Sequence, residues 1–205
     1  MLPMFIDNII LQLESELPGI AEQEKMLIKP RPSEYKLNKK VDSIDAAVLI
    51  LLYPIDDQWY FFLTKRSEMV EHHKNQISFP GGIVHENELL WDAAARETYE
   101  EIGVQNITRL GSLTPLFVPV SNFHIHPFIG WVNEKPITKQ NELEVERILP
   151  VSIKELMLEN IYREKKEIIS SQLVRVPFFD LCNEMVWGAT AAILSEFRFI
   201  IKSTK

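Results

Sequence analysis

The chain has 205 residues, 46% apolar and 25% charged, with 22 Lys and Arg against 29 Asp and Glu for a net charge of −7. This is length for one domain or a domain with a short extension, and the composition excludes a disordered chain, a collagen-like fibre and a coiled coil. The acidic balance argues against a generic nucleic-acid binder, which needs a basic footprint, and the single cysteine, Cys182, excludes an internal disulfide and a cysteine-based metal cluster.

Phe5, Ile6, Ile9, Ile10, Leu13 and Leu17 recur at helical spacing, which predicts an amphipathic helix over 4–17 that Pro18-Gly19 ends. Residues 20–40 are polar, carry Pro30 and Pro32, and read as a connector. This divides the chain into an N-terminal helix and connector, 1–40, and a main domain, 41–205. The run Ala46–Tyr53 reads as a buried strand, Pro54–Gln58 as a turn and Trp59–Thr64 as the returning strand of a hairpin. Further strands are expected over 107–113, 123–132 and 173–179. A strand end is expected at 148–151, a helix over 151–158 and a long helix over 187–201. Strands and helices interleave around an antiparallel hairpin, so the class is α/β or α+β with a mixed sheet. The N-terminus has no basic leader, and no apolar run nears the roughly 20 residues of a membrane span. The expectation is a cytoplasmic protein with no membrane partner.

The stretch that carries chemistry runs from Phe79 to Gly103. Gly81 and Gly82 follow Pro80, and a backbone without Cβ atoms can turn sharply and approach a ligand there. A helix is expected from about Leu89 to Ile102, with Asn87 as its N-cap and Gly103 just past its end. On a helical wheel Trp91, Ala95, Thr98 and Ile102 share the face expected to meet the sheet. Glu97, Glu100 and Glu101 fall on another side within about a 100° arc. Ala93 and Ala94 share that side and leave room for the glycine loop. Three like charges at that spacing repel, and Arg96, four residues before Glu100, offsets part of this. A solvated acidic face would look similar. The adjoining glycine bend and the Arg96 spacing favour a site for a hard divalent cation, which prefers oxygen ligands.

Gly82, Glu88 and Arg96-Glu97-Thr98-Tyr99-Glu100-Glu101-Ile102-Gly103-Val104 resemble the Nudix box of the Nudix hydrolases, with every fixed position matched. Thr98 stands where an aliphatic residue is usual. The resemblance implies an α/β/α sandwich with a mixed sheet, in which the box forms a loop–helix–loop. It implies hydrolysis of a nucleoside diphosphate linked to another group, with Mg²⁺ or Mn²⁺ held by Glu97, Glu100, Glu101 and a carbonyl of Gly81 or Gly82. A cation is needed because a carboxylate-lined site would otherwise repel a diphosphate. Arg96 is expected to orient Glu100 or the loop, and Glu88 to brace the loop-to-helix junction. Glu97 or a later acid would be the base. Glu142 and Glu144 are the candidates for that later acid, with Glu142 favoured.

Leu63-Thr64-Lys65-Arg66-Ser67, His73, Gln76 and Phe79-Pro80-Gly81-Gly82 resemble the signature that precedes the box in coenzyme A diphosphatases of this superfamily. Glu71 and Asn75 depart from it, where arginine and glycine are usual. Ser121-Asn122-Phe123 with Pro127, the run 141–144 before Pro150, and 186–191 resemble the same subgroup. This implies cleavage of coenzyme A, or its thioesters, to 3′,5′-ADP and 4′-phosphopantetheine. Arg66, His73, Gln76 and Gly82 would then contact substrate or position the loop. Lys65, Arg66, His72, His73 and Lys74 form the most basic local stretch, and arginine suits a 3′-phosphate through its fork of donors. ADP-ribose is an alternative substrate, as Pro115 and Pro119 follow the box. A second alternative is a nucleotide-binding regulator without turnover. The small residues of the C-terminal helix suit a subunit interface, which leaves a homodimer among the expectations.

Overall fold

The computed structural model describes residues 2–30, 43–68, 75–169 and 171–203. His73, with Glu71, His72 and Lys74, lies outside them.

The hairpin is the centre of the fold. Strand β1 (Ile44–Ile55) turns through Asp56-Asp57 into β2 (Gln58–Arg66), and Ile55 pairs with Gln58. Asp56 takes φ of 50°, as tight two-residue hairpin loops require. Both faces of β1 are covered, which explains its continuous apolar run. Ala47, Leu49, Leu51 and Tyr53 pack on one side with Ala93, Ala94 and Ile102 of helix α3 (Leu90–Ile102). Ile50 and Leu52 pack on the other with Phe197 and Ile201 of the C-terminal helix α5 (Gly188–Ser203) and with Ile6 and Ile9 of α1 (Met4–Leu13).

The remaining strands are β3 (Ile77–Ser78), β4 (Gly81–Ile83), β5 (Thr108–Ser112), β6 (Leu116–Val118), β7 (Phe123–Trp131) and β8 (Val145–Ser152). The main sheet runs β3-β2-β1-β7-β5, with β4 on β1, β6 on β7 and β8 on β2. Only β1 and β7 are parallel in it; the other pairs are antiparallel. The sheet is thus mixed and lies between α3 and the α1–α5 layer. This is the expected α/β/α sandwich. A second, three-stranded sheet follows, of β9 (Tyr162–Ile169), β10 (Gln172–Leu181) and β11 (Glu184–Trp187).

Several expectations are corrected. The first helix stops at Leu13 rather than Leu17, and the supposed connector contains α2 (Ile20–Gln23) and a 3-10 turn at Glu24–Met26. Residues 151–158 are not one helix: β8 continues to Ser152, whose hydroxyl caps a single turn, α4 (Ile153–Leu156), by accepting from the Glu155 N–H. Trp187 ends β11 and the last helix starts at Gly188. Asn87 is not the N-cap of α3. It takes φ of 64°, two residues ahead of the capping position, which Leu89 holds without a side-chain bond. Gly103 does end α3, with φ of 76° and its N–H on the Tyr99 carbonyl. Ala93 and Ala94 are fully buried against β1 instead of facing the glycine loop, and Ala95 is only half-buried. The packed face is centred on Ala94 and Thr98, which draws Glu101 under the helix. The Thr98 hydroxyl, fully buried, donates to the Ala94 carbonyl at 2.7 Å.

Glu196 of α5 is also fully buried. Its carboxylate accepts from Gln23 Nε2 at 2.8 Å, Thr114 Oγ1 at 2.7 Å and the Thr114 N–H at 3.3 Å. Three separate segments meet on that one side chain.

Candidate active site

Two glycines open the site, for two different steric reasons. Gly81 pairs with Val48 and has φ of 155°; a Cβ there would overlap the Ala47 carbonyl and the Val48 Cα. A Cβ on Gly82 would overlap the carboxyl group of Glu97. The strand β4 therefore lies flush on β1 while its other side seats an acid from α3. Phe79, 2% exposed, anchors the approach to this bend, packing near Phe61.

Arg96 ties loop to helix. Its Nε donates to Glu88 Oε1 at 2.8 Å and its Nη2 to Glu88 Oε2 at 3.0 Å. Nη2 also reaches the Ile83 carbonyl at 3.1 Å, and Nη1 serves both Glu97 at 2.7 Å and Glu100 at 3.1 Å. Glu88 accepts the His85 N–H as well, at 2.9 Å. These hydrogen bonds, Arg96 first, pull the Glu88 carboxyl down to about 2. The structure thus gives Arg96 and Glu88 bracing contacts. Glu100 comes to the group through Arg96 and is otherwise half in solvent.

Glu101 lies deepest, 1% exposed. Its Oε2 accepts from the Thr64 hydroxyl at 3.4 Å, and Arg66 Nη1 stands 3.7 Å from Oε1. Alternation along β2 puts Phe62, Thr64 and Arg66 on the α3 side of the sheet. Burial pushes the Glu101 carboxyl up to about 8; Arg66 opposes the shift, and the charges of Glu97 and Glu144 add to it. Burial also raises Glu97, against the pull of Arg96 and with a push from Glu100 and Glu144. The Nε of Arg66 is buried with no hydrogen-bond partner among the described residues.

The structure places Glu144, not the favoured Glu142, beside these acids. Glu142 is exposed. The reason is a loop docking: the Asn141 N–H donates to the Glu101 carbonyl at 3.0 Å, and the Ser67 N–H donates to the Glu144 carbonyl at 2.9 Å. Asn141 Nδ2 then reaches Glu144 Oε1 at 3.3 Å. Gln76 meets Arg66 through the backbone, its carbonyl accepting the Arg66 N–H at 3.0 Å. Lys65 turns to the opposite face, where Glu146 and Glu184 lie 3.4 and 3.5 Å from its ammonium. Thr64 enters the sequence reading only as part of the run 63–67; its contact with Glu101 follows from strand alternation with Arg66.

Glu97, Glu101 and Glu144 repel one another, and their donors are all oxygen. Two of the three are raised by lost solvation. The chemistry of this set fits a hard divalent cation, which would relieve both the repulsion and the burial cost, although one oxygen from each acid does not come within 4.8 Å of the others among the described residues. Glu100, tied in through Arg96, and Gly82, packed against the Glu97 carboxyl, lie next to it.

A mixed-sheet sandwich with an acidic loop–helix motif behind paired glycines defines a class by its site as much as by its fold. Residues 44–172 match the NUDIX domain family, and the chain belongs to that family, the Nudix hydrolases, which generally need divalent cations. A Nudix hydrolase NudL of Pectobacterium atrosepticum is 31% identical over 137 residues, covering 65% of this chain and 71% of its own. Nudix hydrolase 3 of Caenorhabditis elegans is 31% identical over 116 residues, 54% of this chain; the match spans only 48% of that longer protein. The crystal structure of the Nudix hydrolase RenU from M. smegmatis superimposes with a TM-score of 0.57 at 17% identity, over 78% of this chain and 87% of its own. That likeness is one of fold.

Proposed function

We propose that this chain hydrolyses the diphosphate bond of coenzyme A or its thioesters, giving 3′,5′-ADP and 4′-phosphopantetheine, with Mg²⁺ or Mn²⁺ as cofactor. The observation that carries the hydrolytic part is Glu101, buried between Thr64 and Arg66 and coupled in charge to Glu97 and Glu144. A pure binding module has no need of so costly an arrangement. Coenzyme A as the substrate is supported by Leu63–Ser67, Gln76 and Phe79–Gly82, the residues of the subgroup's signature that are described.

Glu97, Glu101 and Glu144 would hold the cation, joined by Glu100 and a carbonyl of Gly81 or Gly82. When bound, that ion neutralises diphosphate charge and lowers the pKa of water. Arg96 keeps Glu97 and Glu100 in place and fixes the loop through Glu88. Glu144 is better placed than Glu142 to accept the proton of the attacking water. The water oxygen bonds to one phosphorus, the bridging P–O bond breaks, and the leaving phosphate oxygen carries the electron pair away. Arg66, on the site face of β2 with its side chain 26% exposed, would be a donor for a substrate phosphate.

The test is a panel of coenzyme A, acetyl-coenzyme A, dephospho-coenzyme A and ADP-ribose, with Mg²⁺ or Mn²⁺ and product masses. The expected result is fastest cleavage of coenzyme A or its thioester to 3′,5′-ADP, lost in Glu101→Gln. Intact coenzyme A beside cleaved ADP-ribose overturns the substrate. Tight nucleotide binding with no turnover on any cation overturns the enzyme.

A further inference from the structure

The parallel pair β1–β7 brings together three side chains that the hydrolytic reading leaves unused. Asp45 is in register with His124, and Ala47 with His126. Side chains two apart on a strand share a face, so His124 and His126 project together, on the same side as Phe128. Asp45 projects on that side too, with Ala47. This is the α3 face, since Ala47 and Phe128 pack with Ala93 and Ala94.

The His126 Nε2 lies 2.9 Å from Asp45 Oδ1, and His124 Nδ1 lies 3.4 Å from the same oxygen. The imidazole rings meet edge to face, centroids 4.5 Å apart. One ligand atom from each residue falls within 4.8 Å of both others, the only such group of three or more His, Cys, Asp or Glu among the described residues. No lysine or arginine pairs with Asp45 among the described residues. Its side chain is 52% exposed, against 39% for His124 and 16% for His126, so the triad opens to solvent on the Asp45 side.

We infer that Asp45, His124 and His126 form a binding site for one borderline divalent cation of the Zn²⁺, Co²⁺ or Ni²⁺ type, separate from the carboxylate cluster. The ligand chemistry decides the ion. Two imidazole nitrogens and one carboxylate oxygen suit these metals, whereas Mg²⁺ asks for oxygen alone. Zinc bonds of about 2.0–2.1 Å set tetrahedral ligands about 3.4 Å apart, close to the spacings here. Small ring rotations would complete the set. Three protein ligands leave a coordination position open to water or to an anionic group.

The supports are rigid. β1 and β7 pair over nine consecutive residues, His124 is paired again with Phe117 of β6, and the Asp45 carbonyl accepts the Val84 N–H at 2.9 Å. Ala47 is flanked in one row by His126 on β7 and Gly82 on β4. Two strand spacings put those backbones about 10 Å apart. The ion would therefore sit beside the loop that seats Glu97, without sharing a ligand with it.

The test is calorimetric titration of Zn²⁺ into the full chain in excess Mg²⁺, which saturates the carboxylate cluster, with Co²⁺ absorption as a second probe. The wild type is expected to take up one equivalent of Zn²⁺. His126→Ala, His124→Ala and Asp45→Asn should each weaken that uptake by about tenfold or more, since even partners behind a ligand are worth that much. Glu101→Gln should keep it. Melting curves of the metal-free variants, compared with wild type, show that each is folded. No uptake by the wild type overturns the inference, as does equal uptake by the histidine variants. Uptake lost in Glu101→Gln but kept in His126→Ala assigns the ion to the carboxylates and also overturns it.

Discussion

Replacing Glu101 by glutamine should make the metal-free protein more stable while destroying its activity. The carboxyl shifts from an ordinary value of 4.5 to about 8 because the group is buried. Linkage then gives the sign. Below about pH 4.5 folded and unfolded chains both hold the proton. Between about 4.5 and 8 the unfolded chain has released it and the folded chain has not, so the folded state binds more protons and stability falls as pH rises. At pH 7 the loss amounts to about 3 kcal/mol as an upper bound, from 1.36 kcal/mol per pK unit. Glutamine keeps the shape and removes the titration, and the shift already includes the opposing pull of Arg66, so, allowing for the amide's poorer fit to the site of a neutral acid, a net gain of about 2 kcal/mol is expected. For a chain of this size that is about 4–8 °C in melting temperature. The assay is thermal unfolding in EDTA across pH 5 to 8, with the gap between variant and wild type widening toward alkaline pH. Added Mn²⁺ should raise the wild type and leave the variant nearly unmoved. A variant that melts below wild type in EDTA at pH 7 refutes the reasoning, because Glu101 would then be ionised in the folded chain and its contact with Arg66 would outweigh its burial.

Gly82→Ala should abolish turnover and cost about 1–3 kcal/mol, because its methyl must displace the Glu97 carboxyl; steady-state kinetics and urea unfolding read the two effects. Arg96→Lys should lower kcat by about 10²-fold or more with little change in melting temperature, as an ammonium cannot span Glu88, Glu97, Glu100 and the Ile83 carbonyl together; rates measured over a Mn²⁺ series check it. Glu144→Gln should cut kcat by about 10²-fold or more while Glu142→Gln stays near wild type, and equal losses would remove the case for Glu144. Ile9→Ala should destabilise by about 2–5 kcal/mol, measured by denaturant unfolding, as Ile9 is fully buried in the main core.

Much of this architecture is visible in the residues themselves, where the local pattern is strong. The hairpin reads from an apolar run, a two-residue aspartate turn and a second run, and α3 ends at the glycine that its left-handed cap requires. Strands β3 and β4 are two and three residues long, and paired glycines carry no periodicity, so nothing in the sequence marks them. Strand β9 carries no apolar alternation because it is exposed along seven of its eight positions; only its pairing with β10 makes it a strand. At the site, Arg96, Glu97 and Glu100 follow from spacing on one helix. The choice between Glu142 and Glu144 does not, since it depends on a loop held by Asn141 to the far end of that helix. Asp45 lies 79 and 81 positions from the two histidines, and only the parallel pairing of β1 with β7 joins them.

The segment that carries the family likeness, 44–172, is not the segment that can stand alone. It leaves out α5, and with it Phe197 and Ile201, which plug the underside of the sheet, as well as the helical turn that supplies Gln23. An excised 44–172 fragment would lay bare Ile50, Leu52, Phe61 and Leu63 and would be expected to aggregate, whatever its catalytic side chains. Gln23 before that segment and α5 after it, joined through Glu196, thus form the floor beneath the acidic cluster encoded between them.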